Sequence, residues 1–145
     1  MEYGKARLGR IFLLKFSDGD DLIKEIKRFS KKERLKTCFF SFLGALKKGK
    51  LVCGPKKAVI PPRPNFFDFK DGWEVVGTGS IFTNRSGPQV HIHTAMGKKN
   101  KSMAGCVREG SKVFIVLEAV VFELKGIKAT KEIDPKTGIN LLRIL

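Results

Sequence analysis

Pro88 to Arg108 reads PQVHIHTAMGKKNKSMAGCVR, and this stretch decides both the fold class and the candidate chemistry. The polar run Gly97-Lys98-Lys99-Asn100-Lys101 lies between two less polar arms, which predicts two antiparallel strands joined by a hairpin loop. Residues i and i+2 of a strand project to one face, so His91 and His93 stand side by side. If the hairpin is centred between Lys99 and Asn100, Lys98 faces Lys101 and, counting outward, Cys106 falls directly opposite His93. Three ligand-type side chains then share one face of one hairpin. A register slip of a single residue would turn Cys106 to the other face.

The pattern on either side is also strand-rich. Upstream, Phe66 to Phe69 and Trp73 to Phe82 read as two strands separated by an Asp71-Gly72 turn, and Asn84 to Gly87 is a polar turn leading into the histidine strand. Gly77 and Gly79 are placed to let backbone or a neighbouring subunit come close. Downstream, Val113 to Leu124 (VFIVLEAVVFEL) is the longest apolar run and predicts a strand buried on both faces. Glu118 in its middle would then need a cation, donors or a proton. A turn at Asp134-Pro135-Lys136-Thr137-Gly138 precedes a last strand, Ile139 to Leu145.

Nearer the start, Arg10 to Phe16 predicts a strand buried on most of its length. Asp20 to Arg34 carries Leu22, Ile23, Ile26 and Phe29 at helical spacing, with acids at the front and lysines at the back, as the helix dipole favours. Thr37 to Leu46 is a further strand with Gly44 marking a bulge, Lys47 to Lys50 a tight basic turn, and Leu51 to Cys53 the returning strand. Pro61-Pro62-Arg63-Pro64 is an extended loop that cannot be a central strand. Residues 1–145 are therefore expected to form a single α+β domain: a mostly antiparallel sheet of about 7–8 strands packed with one amphipathic helix over about 20–34.

A chain of 145 residues buries roughly 70% of the surface its unfolded form exposes, enough for a real core. Apolar runs are too short to cross a bilayer, and the first residues lack the apolar core of a signal peptide. Cys38, Cys53 and Cys106 are widely spaced and form no CxxC pair, which points to a reducing, cytoplasmic setting; Cys38 and Cys53 read as small core residues. The formal net charge is +15, from 29 basic and 14 acidic residues. No acid interrupts Arg34 to Phe67 or Val75 to Arg108, and such a balance attracts polyanions. Lys47, Lys48, Lys50, Lys56, Lys57, Arg63, Lys98, Lys99 and Lys101 are the candidates for contact with DNA phosphates, although a lysine-rich surface also serves solubility and heat tolerance. No recognition helix, AT-hook or GxxxxGK[ST] loop is present, so DNA contact would be phosphate-driven.

His91, His93 and Cys106 are the candidate metal ligands. Zinc accepts imidazole and thiolate together, and three protein ligands leave one position open. Water at that position could become a nucleophile near neutral pH. Glu74, Glu109 and Glu118 are general-base candidates by residue type alone, and nothing in the sequence sets one beside the metal. A DNA-binding protein, regulatory or architectural, is therefore favoured over an enzyme, with a metal-dependent small-molecule enzyme or ligand-binding protein using the His91, His93 and Cys106 site as the alternative.

The order of motifs adds a further reading. Arg10 to Leu22 (RIFLLKFSDGDDL), Phe42 to Leu46 (FLGAL), Trp73 to Ile81 (WEVVGTGSI), Pro88 to His93 (PQVHIH), Ala104 to Gly110 (AGCVREG) and Leu117 to Leu124 (LEAVVFEL) follow one another. As a series they resemble the PPC domain, the plant and prokaryote conserved domain, in its stand-alone form without an AT-hook. The resemblance implies a homotrimeric α+β fold and a DNA-binding designation. It also implies a metal site in some prokaryotic members, built from the two histidines of H-x-H and a third histidine in a Gly-Gly-His segment. Here that segment is Ala104-Gly105-Cys106, so a cysteine stands at the third ligand position. In plant members a Gly-Arg-Phe-Glu-Ile-Leu segment contacts transcription factors. The matching stretch Asp71 to Val76 keeps an aromatic, Trp73, and Glu74 as partner-contact candidates, without the Gly-Arg pair.

Overall fold

The computed structural model describes residues 1–145. It consists of β1 (Arg7–Ser17), α1 (Leu22–Lys32), β2 (Thr37–Pro55), β3 (Pro64–Asn84), β4 (Gly87–Lys98), β5 (Lys101–Val107), β6 (Lys112–Lys125), β7 (Ala129–Ile133) and β8 (Asn140–Ile144). The first six strands form an antiparallel sheet in the order β1-β6-β2-β3-β4-β5, and β7 pairs with β8 in a separate hairpin. The sheet curls enough for β5 to pair back onto β2, Val52 lying opposite Cys106. This is the expected single α+β domain.

One face of the sheet holds the core. Phe40, Phe42, Leu46, Ile81, Ile92, Leu117 and Val121 point inward and pack with Leu22, Ile23 and Ile26 of α1. The helix runs over nearly the predicted span because its apolar side chains recur at helical spacing and its ends are capped. Asp21 accepts the Lys24 amide at 3.2 Å, and Lys31 and Lys32 occupy the last turn. Asp21 is itself buried and also accepts the Gly110 amide at 2.9 Å, tying the helix start to the turn before β6. Opposite Phe42 and Phe40 stand Gly77 and Gly79. A Cβ at either glycine would lie 2.4 and 2.2 Å from the Cζ atoms of those rings, so the close approach expected there is made by phenylalanines of the same chain.

Several expectations about strands are corrected. Lys47 to Lys50 is not a turn, nor does Asp71-Gly72 separate two strands. β2 and β3 each run straight through, the irregularity being a register shift between Leu46 and Lys48, with Asp71 and Gly72 at φ of 67° and 71°. A long pairing partner turns what looks locally like a reversal into a bend. β6 is not buried on both faces, and β1 is not buried on most of its length, Phe16 being its one buried residue, because α1 covers only one side of the sheet. Glu118 is consequently exposed and needs no buried partner. The predicted bulge at Gly44 is present: pairing with β6 shifts between Gly44 and Leu46, and a Cβ there would lie 2.5 Å from the Val116 carbonyl oxygen. Ala129 to Ile133, where the sequence predicts no strand, forms β7 and pairs with β8 around the predicted turn. There Asp134 accepts the Thr137 amide at 2.8 Å.

The uncovered face is apolar over much of its area, with Leu13 83%, Leu43 59% and Val76 59% exposed. Across it run aligned rows of side chains. One row is Leu13, Val120, Ser41, Thr78, His93, Cys106, read strand by strand from β1 to β5. The hairpin site thus lies on the open face, at its far edge.

Candidate metal centre

The β4–β5 hairpin has the predicted register: Lys98 pairs with Lys101, Ala95 with Ala104 and His93 with Cys106. The turn is the two-residue Lys99-Asn100 step, with Lys99 in a left-handed conformation at φ 54°. Two strand residues apart, His91 and His93 bring their Nε2 atoms to 3.1 Å, their rings packed edge to face with centroids 4.8 Å apart. Cys106 projects from the neighbouring strand, and one ligand atom from each of His91, His93 and Cys106 lies within 4.8 Å of the others. A tetrahedral zinc site with bonds of 2.0–2.3 Å needs ligand atoms roughly 3.3–3.8 Å apart, against separations of 4.8 Å or less here. Imidazole and thiolate are the donors that zinc and the other softer transition metals prefer.

The surroundings are cationic. Arg108, two residues beyond Cys106, donates from Nη1 to Sγ at 2.9 Å, a positive charge suited to balance a metal-bound thiolate. Lys131 of β7 is 94% buried at the same site, at 6% exposure. Burial pushes its ammonium pKa down, and the nearby Cys106 partly offsets this. His91 is pushed down to about 4, first by desolvation and then by the charges of Lys131, His93 and Arg108. It is therefore neutral at pH 7, the form that ligates metal. These groups line a cleft of about 540 Å³ whose walls include Val52, Gln89 and Asn140.

The remaining candidates lie elsewhere. Cys38 is fully buried with its thiol pushed up to about 12 by desolvation, and Cys53 packs against the core. Trp73 is a core residue whose indole N–H donates to the Lys70 carbonyl at 3.0 Å, while Glu74 is exposed. Among the basic candidates, Lys47 pairs with Asp18 at 2.6 Å and Lys50 with Asp68 at 3.5 Å, and Lys98 donates to the Asp71 carbonyl. Lys48, Lys56, Lys57, Arg63, Lys99 and Lys101 are exposed. Lys48 has Lys70 opposite it on β3 and Lys112 on β6, which makes a row of three lysines across the sheet.

Two site residues escaped the sequence reading. Arg108 carried a usable signal, since it stands two positions after Cys106 and so shares its face. Lys131 carried none, being an ordinary lysine in a short polar run distant from the hairpin in sequence.

The model of the Plants and Prokaryotes Conserved (PCC) domain matches residues 3–125. The chain belongs to this family. The PCC fold recurs in solved structures. A plant- and prokaryote-conserved protein of Pyrococcus horikoshii is 28% identical, with a TM-score of 0.86 over 100% of this chain and 99% of its own. A metal-containing protein of Archaeoglobus fulgidus is 22% identical, with a TM-score of 0.84 over 97% of this chain and 98% of its own. A protein of Bacteroides thetaiotaomicron, provisionally described as DNA-binding, is 17% identical, with a TM-score of 0.77 over 95% of this chain and 96% of its own. No curated protein matches the sequence. No helix is long and apolar enough to cross a membrane.

Proposed function

We propose that this PCC-domain protein is a cytoplasmic metal-binding homotrimer that holds one zinc ion per chain at His91, His93 and Cys106. The observation that carries the reading is the convergence of two imidazoles and a thiol, each from its own position on the hairpin, within 4.8 Å. The Archaeoglobus relative, described as metal-containing, has the same fold. The trimer reading rests on the open sheet face, where Leu13, Leu43 and Val76 lie exposed without a partner in the chain, and on the family resemblance. A surface of that kind favours burial against further copies. Elemental analysis of protein purified without an affinity tag tests the metal. About one zinc per chain, lost in His93→Ala and in Cys106→Ala, is expected; a metal-free protein, or content unchanged in both variants, contradicts the reading.

DNA binding is a second reading, favoured by the Lys48-Lys70-Lys112 row and the Lys98-Lys101 pair. The Bacteroides relative carries such a description. Binding of this kind depends on counterion release, so log affinity falls with log salt at about −0.9 per phosphate contact. A mobility-shift titration in which affinity is flat between low and moderate salt, or absent at both, removes it.

A further inference from the structure

The β7–β8 hairpin lies beyond residues 3–125, the part matched by the family model, yet it forms one wall of the cleft beside His91, His93 and Cys106. We propose that this cleft is a binding site for a small-molecule oxyanion, a carboxylate or phosphate group, clasped between Lys131 and Arg108.

Lys131 is the starting point. An ammonium group buried without a counter-ion is costly, and proteins retain one where something pairs with it. Lys131 is 94% buried, yet no carboxylate lies within ion-pair distance of it or of Arg108. Its ammonium makes a single long hydrogen bond, 3.4 Å to Ser80 Oγ, and sits 5.7 Å from the centre of the Phe82 ring. An ammonium offers three donors, so most of its capacity is unused. Arg108 spends one N–H on Cys106 Sγ and has no other side-chain acceptor in the chain.

The cleft itself selects the sign of its occupant. Its lining contains Lys131 and Arg108, the amides of Gln89 and Asn140, and no acidic residue. A fork of guanidinium donors beside a point charge matches the geometry of carboxylate and phosphate oxygens. A volume of about 540 Å³ falls within the range of pockets that enclose small metabolites. It leaves room for an organic body against Val52, Pro55 and Ile139. The oxyanion pocket stands on these two cations, with or without the metal.

Calorimetric titration of the full chain with inorganic phosphate, and separately with succinate, tests this on chelator-stripped and zinc-loaded protein. Saturable binding at one site per chain by at least one probe is expected, and the arm that binds identifies the oxyanion. Lys131→Met should weaken that binding about tenfold or more. Asn140→Asp, which sets a negative charge at the exposed rim, should also weaken it, while the distant Lys5→Gln leaves it unchanged. Folding is checked by heat. Lys131→Met should unfold at a higher temperature than the parent without anion, since a buried unpaired charge is gone, and the anion should raise the midpoint of the parent and of Lys5→Gln but much less that of Lys131→Met. Equal anion response in Lys131→Met, an equal loss in Lys5→Gln, or no saturable binding of either probe overturns the proposal. Phosphate or succinate binding by a chain that takes up no zinc would refute the metal reading and leave this one standing.

Discussion

The two faces of the six-stranded sheet are built from similar residues and end in opposite states. On the inner face Phe40, Ile81, Ile92, Leu117 and Val121 are sealed by α1. On the outer face Leu13, Leu43 and Val76 have nothing over them, and the hairpin triad sits at the edge of the same surface. Residue type alone therefore does not tell which face is the core; the position of the single helix does. It also separates two kinds of energy, one that holds the chain together and one available for other molecules.

Substitutions on the two faces should break that contrast in order of size. Phe40→Ala empties a fully buried ring position that also fills the space over Gly79. It is expected to cost about 3–5 kcal/mol in denaturant unfolding. Asp21→Ala removes the helix cap and the acceptor of the Gly110 amide together, an expected loss of about 2 kcal/mol by the same measurement. Leu43→Asp on the open face should cost a single chain less than about 0.5 kcal/mol, yet reduce the mass in solution to that of a monomer by light scattering. An assembly unchanged by Leu43→Asp would mean that the open face is not the contact between copies.

Acid should act on both faces through different groups. Glu123, hydrogen-bonded to Arg10 Nε at 2.9 Å, is held down at about 2, so its stabilisation is complete above its ordinary pKa and is lost as the pH falls towards 2. His91 is also held down, at about 4, but for a base this has the opposite meaning. The unfolded chain takes up its proton first, so stability drops as the pH falls from 6.5 towards 4 and changes no further below that. Unfolding of metal-free protein followed by pH should show the upper step vanish in His91→Gln and the lower step shrink in Glu123→Gln.

How much of this was legible follows from how local each signal is. The register that set Cys106 against His93 came from the symmetry of one short hairpin, and the helix from one amphipathic stretch. Both are decided within a few residues. The continuity of β2 and β3 was not legible, because Lys47 to Lys50 and Asp71-Gly72 carry turn chemistry that only a long pairing partner overrides. The exposure of Glu118 depended on which side α1 covers. Lys131 reaches the cleft through the packing of the terminal hairpin against Asn84 and Ser80, and no pattern in its own neighbourhood announces that.

Cobalt substitution tests the central claim most directly, since cobalt(II) takes zinc's place in such sites and its thiolate bonds absorb light. Titration of the metal-free chain should give a thiolate-to-cobalt charge-transfer band that saturates at one equivalent per chain. The band should vanish in Cys106→Ser and weaken in His91→Ala and His93→Ala. A band that survives Cys106→Ser, or cobalt that binds without one, would contradict a centre made of His91, His93 and Cys106.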